Sequence, residues 1–282
     1  MKNLPIGFID SGVGGLTVVK QSLRQLPNES IIYLGDNARC PYGPRPLDEV
    51  KRYIWQLTNF LREKGIKMLV IACNTGTAAA LDDIRATLAI PVVGVIHPGS
   101  RAAIKQTTNN RIGIIGTQGT INSELYETVL TEKVEHLDVT SVACPEFVEI
   151  AESTVYSQAE IDEIVSKRMS AFEGTQIDTL VLGCTHYPLL KEAIQTAIGP
   201  QVHLIDSGKE TINEVSTLLD YFNLSRSAED AIAEPATQVY YTTGEVEPFK
   251  TIASQWLEEA QPNVKSAVIK GEIVVESDYS QS

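Results

Sequence analysis

The sequence predicts an α/β protein made of two pseudo-symmetric, open parallel-sheet halves that share one cleft. Three observations carry that prediction. The stretch from Thr179 to Leu190, TLVLGCTHYPLL, is a buried apolar run that ends in a thiol, a hydroxyl and an imidazole. An earlier stretch from Met68, MLVIACNTGTAAA, repeats the apolar run, the cysteine at its end, a threonine close behind and a following helical pattern. The two copies also begin alike, with IGFIDSG from Ile6 against IGIIGTQ from Ile112, and between those ends Cys40-Pro41 matches Cys144-Pro145. All four cysteines thus fall into two repeat-related pairs.

Taken in order, Ile6 to Ile9 reads as the first strand and delivers Asp10-Ser11-Gly12-Val13-Gly14-Gly15 before an amphipathic helix from Leu16. These glycines let backbone approach a ligand closely. A dinucleotide fingerprint needs glycine where Thr17 stands, and a P-loop needs Lys-Ser or Lys-Thr at its end, so neither nucleotide motif is satisfied. After the strand pattern SIIYLG comes GDNARCPYGPRP from Gly35, too polar for a core and too irregular for a helix, which reads as a shaped binding loop. The helix EVKRYIWQLTNFLREKG closes on Gly65 as a C-cap, with Tyr53, Trp55 and Phe60 as packing residues.

Cys73-Asn74-Thr75 and Cys184-Thr185-His186 then occupy equivalent strand-to-helix turns. The first N–H groups of a helix have no intrahelical partner, so such turns at the carboxyl ends of parallel strands bind anionic groups. The likeness runs on, with LDDIRATLAIPVVGVIHPG from Leu81 against LKEAIQTAIGPQVHLIDSG from Leu190. In the second half TQGTINSELYETVL repeats the turn logic with hydroxyls, Thr117 standing where Ser11 stands. Glu146, Glu149 and Glu152 follow Cys144 at helical spacing, and a solvated acidic face is the default reading for at least two of them. AEIDEIVSKRMSAF from Ala159 is an amphipathic crossover helix.

A chain of 282 residues accommodates two such halves. The expected units are residues 1–98 and 99–208, with 209–282 lacking a repeat partner and packing back onto the first. In that segment a strand, a turn and a helix are expected from Gln238, and the tail EIVVESDYSQS is expected as a frayed end after one last strand.

The formal net charge of −13 disfavours nucleic acid or an anionic membrane as direct partner. No apolar run reaches transmembrane length, and the chain enters a strand at once without a signal-type apolar core, so a cytoplasmic protein is expected. Four widely spaced cysteines without a CxxC fit free thiols in a reducing compartment, and four scattered histidines give no metal-ligand spacing, so no metal is expected.

A thiol at a helix N-terminus is stabilised as thiolate by the unpaired N–H groups. Two thiols on opposite walls of one cleft suit a reaction whose substrate and product are mirror images, since one face must lose a proton as the other gains one. A nucleophilic cysteine with a histidine base, a redox pair and inert buried cysteines are the competing readings at this level.

The motifs FIDSGVGG from Phe8, GDNARCPYGPRP from Gly35, ACNTGTA from Ala72, CPEFV from Cys144, LGCTHYP from Leu182 and YYTTG from Tyr240, in that order, resemble those of the glutamate racemases of the cofactor-independent aspartate/glutamate racemase family. The resemblance spans nearly the whole chain and implies two flavodoxin-like domains with the active site between them. It implies that Cys73 takes the Cα proton from D-glutamate and Cys184 from L-glutamate, Asp10 assisting the Cys73 side, and His186 with Glu152 the Cys184 side. Substrate contacts carried over are Ser11, Pro41, Tyr42, Gly43, Asn74, Thr75, Thr117, Thr120 and Thr185, together with Asp10, Cys73, Cys184 and His186. No lysine within the signatures suits a Schiff base, and no cofactor is expected.

The resemblance further implies a role in peptidoglycan synthesis and a homodimer, with DNA gyrase as a side partner of some members. Aspartate is the rival substrate, one methylene away. Members that need UDP-N-acetylmuramoyl-alanine as activator carry an N-terminal extension; this chain starts at its first strand, and the expectation is no activator dependence. Two positions depart from the family pattern: Gly76 stands where alanine is usual, which would loosen the helix start beside Cys73, and Glu149 stands where proline is common.

Overall fold

The computed structural model describes residues 1–153 and 155–277. The first half runs β1 (Ile6–Asp10), α1 (Leu16–Gln25), β2 (Ile31–Gly35), α2 (Leu47–Lys64), β3 (Met68–Ile71), α3 (Asn74–Thr87), β4 (Val92–Gly94) and α4 (Ile96–Gln106). The second runs β5 (Arg111–Gly116), α5 (Gln118–Asn122), α6 (Leu125–Thr131), β6 (Asp138–Ala143), α7 (Glu146–Glu152), α8 (Gln158–Met169), β7 (Thr179–Gly183), α9 (Lys191–Ile198) and β8 (His203–Asp206). The chain ends with α10 (Ser207–Tyr221), α11 (Ala228–Ala233), β9 (Gln238–Thr242), α12 (Val246–Leu257), β10 (Val264–Lys270) and β11 (Ile273–Glu276).

Strands β2-β1-β3-β4 and β6-β5-β7-β8 pair in the same parallel order, so the sequence repeat is also a repeat of topology. Every residue of β1, β3 and β7 is buried, as expected for central strands covered by helices on both faces. One face of the first sheet packs Phe8 and Tyr33 against Val19 of α1, Val215 of α10 and Phe249 of α12; the other packs Ile9, Leu69 and Ile71 against Ile54 and Leu57 of α2. In an order of this kind the chain switches direction across the sheet between β1 and β3, and between β5 and β7. The crevice at a switch point lies outside the carboxyl ends of the strands. Asp10, Cys73, Thr117 and Cys184 all stand at those ends.

Strands β9, β10 and β11 extend the first sheet beyond β2. The division at 98/99 falls inside α4 and that at 208/209 inside α10, so neither coincides with a break in structure. The tail differs from its sequence expectation: residues 273–276 are not a frayed end but strand β11, antiparallel to β10 with Lys270 opposite Ile273. Gly271, at φ 60°, makes the tight turn there, a conformation favoured by glycine. Burial of Val274 against the α2 face holds the strand in place. The last five residues of that tail, 278–282, lie outside the described residues.

Candidate active site

Cys73 leaves β3 as the N-cap of α3, and its sulfur accepts from the Gly76 N–H at 3.3 Å. A thiol here does what a hydroxyl or carboxylate usually does at an N-cap. Burial, and after it the Asp10 carboxylate, push this thiol up to about 12, outweighing the Gly76 N–H and the Ser11 hydroxyl. At neutral pH Cys73 therefore carries its proton. Asp10 is fully buried at the end of β1; its Oδ2 accepts from the Gly12 N–H at 3.1 Å while Oδ1 has no protein partner. Burial raises its carboxyl, with the positive charge of His186 opposing.

The other wall is different in charge. Cys184 Sγ lies 3.7 Å from Nδ1 of His186, and Nε2 of the same ring lies 2.7 Å from Oε1 of Glu152. Burial alone would lower His186, but its hydrogen bonds to Cys184 and Glu152 win and raise it to about 10. His186 is thus an imidazolium at neutral pH, with Nδ1 turned toward the Cys184 sulfur. The indole of Trp256, on α12, meets the ring edge-on at 6.1 Å.

Both thiols line one cleft together with Ser11, Cys40, Pro41, Tyr42, Gly43, Asn74, Thr75, Thr117, Val148, Thr185 and His186, around about 330 Å³ of empty space. Thr75, Thr117 and Thr120 close a triangle of hydroxyls across the two halves at 2.9, 3.2 and 3.1 Å, and the Gly119 N–H donates to the Gly43 carbonyl at 2.8 Å. The structure thus brings together the residues expected at the site, with Thr120 and Glu152 reached through Thr117 and His186.

Several residues of the site were not legible as such. The Tyr42 hydroxyl donates to Asp36, whose other oxygen accepts from the Thr243 hydroxyl at 2.7 Å, and Arg39 bonds Asp36 at 2.7 Å. The binding loop, which includes a cis Cys40-Pro41 peptide, is therefore braced by the YYTTG segment of the C-terminal strand β9 and the residues after it. Both segments were singled out as motifs, and their pairing was the missing signal. Val148, on α7, lines the cleft beside the CPEFV motif and carries no chemistry that would mark it.

On α7, Glu149 and Glu152 are exposed and Glu146 is half-buried, as an acidic solvent face requires. Glu146 also pairs with Arg168, Glu149 accepts from the Tyr156 hydroxyl at 3.0 Å and Glu152 holds His186. At Gly76 the α3 start is regular: the helix begins at Asn74, and the Gly76 N–H is engaged by Cys73. Among the described residues no group of three His, Cys, Asp or Glu side chains is placed to hold a metal ion.

The Asp/Glu/Hydantoin racemase family model matches residues 6–215. A glutamate racemase of Carnobacterium sp. (strain St2) is 58% identical over 258 residues, covering 92% of this chain and 96% of that protein. One of Enterococcus faecalis is 56% identical over 252 residues, covering 89% and 91%. Among solved structures, a glutamate racemase isoform of Bacillus anthracis superposes with a TM-score of 0.91 at 43% identity, over 97% of this chain and 100% of that one. The Francisella tularensis glutamate racemase in complex with D-glutamate gives 0.86 at 32% identity, over 96% and 98%. With this agreement over nearly its whole length, the chain belongs to the Asp/Glu/hydantoin racemase family, together with the glutamate racemases.

Proposed function

We propose that the protein interconverts L- and D-glutamate by proton transfer at Cα between two thiols, without a cofactor. The observation that carries this reading is that Cys73 and Cys184, at equivalent strand ends of the two halves, line one cleft, the first with its thiol pushed up by burial and the second 3.7 Å from the His186 imidazolium. L-glutamate enters with its Cα–H toward Cys184. The thiolate, held by the His186 imidazolium, takes the proton, and the electron pair of the broken bond spreads into the α-carboxylate. Helix N-termini at Asn74 and at the turn after Cys184, with the surrounding hydroxyls, meet that charge with fixed dipoles in a closed site. The Cys73 thiol then gives its proton to the opposite face of Cα, which forms D-glutamate and leaves Cys73 as the thiolate.

The reverse reaction starts from that second state. Asp10, with its unpaired oxygen and raised carboxyl, is the group beside Cys73 that keeps its proton exchangeable. Glutamate is favoured over aspartate because the relatives at 50–58% identity carry that name.

The test is the unmodified enzyme with L-glutamate in D2O and no added cofactor, followed by circular dichroism and by the proton NMR signal of the Cα hydrogen. Loss of both signals is the expected result. Change with L-aspartate alone would replace the substrate, and silence with both would refute the reading.

The same resemblance supports a cytoplasmic homodimer that supplies D-glutamate for peptidoglycan. Residues 1–98 with 209–282 would form one unit, and 99–208 the other. No helix of the described residues is long and apolar enough to cross a membrane. Gyrase binding, as a side activity, is checked by pull-down with the Cys73→Ala, Cys184→Ala double variant.

A further inference from the structure

Two hydroxyls cross from one half of the molecule to the thiol-bearing turn of the other. Thr17 of α1 shares its proton between the carbonyls of Gly14, at 2.9 Å, and Thr185, at 2.8 Å. Tyr126 of α6 donates to Oδ1 of Asn74 at 2.8 Å. The second contact does more than tie the halves together, because a carboxamide has two different ends.

Tyr126 is 3% exposed, and burial pushes its phenol up despite a hydrogen bond with Ser207, so it remains protonated and a donor. Its proton must go to an acceptor, and the acceptor end of Asn74 is Oδ1. That orientation fixes where the NH2 group lies. Nδ2 of Asn74 is buried without any hydrogen-bond partner, and Asn74 lines the cleft. Leaving a buried donor unpaired is costly, and sites that bind an acceptor are where such a cost persists.

We infer that Tyr126 is a positioning residue for the reaction: by holding Oδ1 of Asn74 it presents the Nδ2 donor to a carboxylate of the bound substrate. The inference rests on the amino-acid substrate of the proposed function. It also places on the second half the group that aims a donor of the first, so this donor is aligned only when the two halves are closed on each other.

The test is steady-state kinetics in both directions on Tyr126→Phe, Asn74→Ala and the double variant, with melting curves to establish folding. Tyr126→Phe removes one hydroxyl, and KM for both enantiomers should rise roughly tenfold while kcat changes less than about threefold, the loss expected for a misaimed donor to a charged group. In the Asn74→Ala background the same change should add less than about twofold, because two residues that act through one contact are not additive. A wild-type KM in Tyr126→Phe, or an undiminished effect in the Asn74→Ala background, overturns the inference.

Asn74→Asp provides an independent arm if Tyr126→Phe does not fold. It keeps the acceptor for Tyr126 and removes the donor, so KM should rise at least as far; an unchanged KM overturns the inference. The unmodified enzyme must racemise glutamate in the same assay, and its failure would strike the functional reading rather than the role of Tyr126.

Discussion

Nε2 of His186 lies 2.7 Å from Oε1 of Glu152, and this contact turns the opposite nitrogen of the ring toward Cys184. In the proposed mechanism the pair serves one wall of the cleft, as Asp10 serves the other. His186→Asn and Glu152→Gln should therefore lower kcat from L- to D-glutamate more than kcat in reverse, and Asp10→Asn should do the opposite. Loss of an acid/base helper is expected to cost roughly 10²-fold. The equilibrium between mirror images is unity, so kcat/KM must fall equally in the two directions and the asymmetry must appear in kcat and KM separately. Progress curves from each enantiomer, followed by circular dichroism, measure this. Equal losses of kcat in both directions would detach His186 from the Cys184 wall.

The same contact makes stability depend on pH. His186 is raised to about 10 in the folded protein, against an ordinary value of about 6.5. A group raised on folding contributes stability that is fully present below its unfolded value and is lost as pH rises through its folded value. The melting temperature should therefore decline between about pH 6.5 and 10, and His186→Asn should flatten that decline. Parallel curves for the two proteins would show that His186 is not charged in the folded state.

The four cysteines should separate into two classes. Cys73→Ser and Cys184→Ser replace a thiol by a far weaker acid and should depress racemisation by roughly 10³-fold or more in both directions. Cys144 is fully buried, its sulfur 3.8 Å from the Val142 carbonyl, so Cys144→Ser should cost about 1 kcal/mol of stability and little activity. Cys40 lines the cleft with its thiol protonated by burial, and Cys40→Ser should stay within about tenfold of the unmodified rate. Mild, equal losses from all four would overturn the assignment.

The sequence revealed what is local. An apolar run that ends in cysteine, twice, places both thiols at strand ends, because burial and strand-to-helix turns are written in neighbouring residues. The braces around them are not local: Thr243 reaches Asp36 across 207 positions, and Tyr126 reaches Asn74 across 52. A side-chain pair between distant segments leaves no periodicity in either one. Strand β11 escaped for a related reason, since four residues gain strand character only from the partner they pair with.

The glycine-rich turn after β1 reads as an approach for a ligand, yet what comes closest to Gly14 is the other half of the protein. A Cβ at Gly14 would stand 2.6 Å from Nδ1 of His186 and press as well on its Cε1 and on the Thr185 hydroxyl. The atoms in the way belong to the wall that, in the proposed mechanism, activates Cys184, and the His186 ring that a Cβ would displace is fixed by Glu152. Gly14→Ala should therefore lower kcat from L-glutamate by about 10²-fold, the order of loss for an ångström of misplacement. It should also cost about 1–3 kcal/mol of stability through overpacking. Gly76→Ala is the contrast: its Cβ would meet Cδ1 of Ile54, the far end of a buried side chain, at 2.6 Å and Cβ of Cys73 at 3.2 Å, so the adjustment falls mainly on Ile54. Alanine at that helical position gains up to about 1 kcal/mol over glycine, so the net change in stability should be within about 1 kcal/mol. Melting curves on the two variants, with kinetics on Gly14→Ala, distinguish them. A Gly14→Ala protein with the unmodified kcat would mean that the Thr185–His186 turn yields freely, and that its placement is not what catalysis needs.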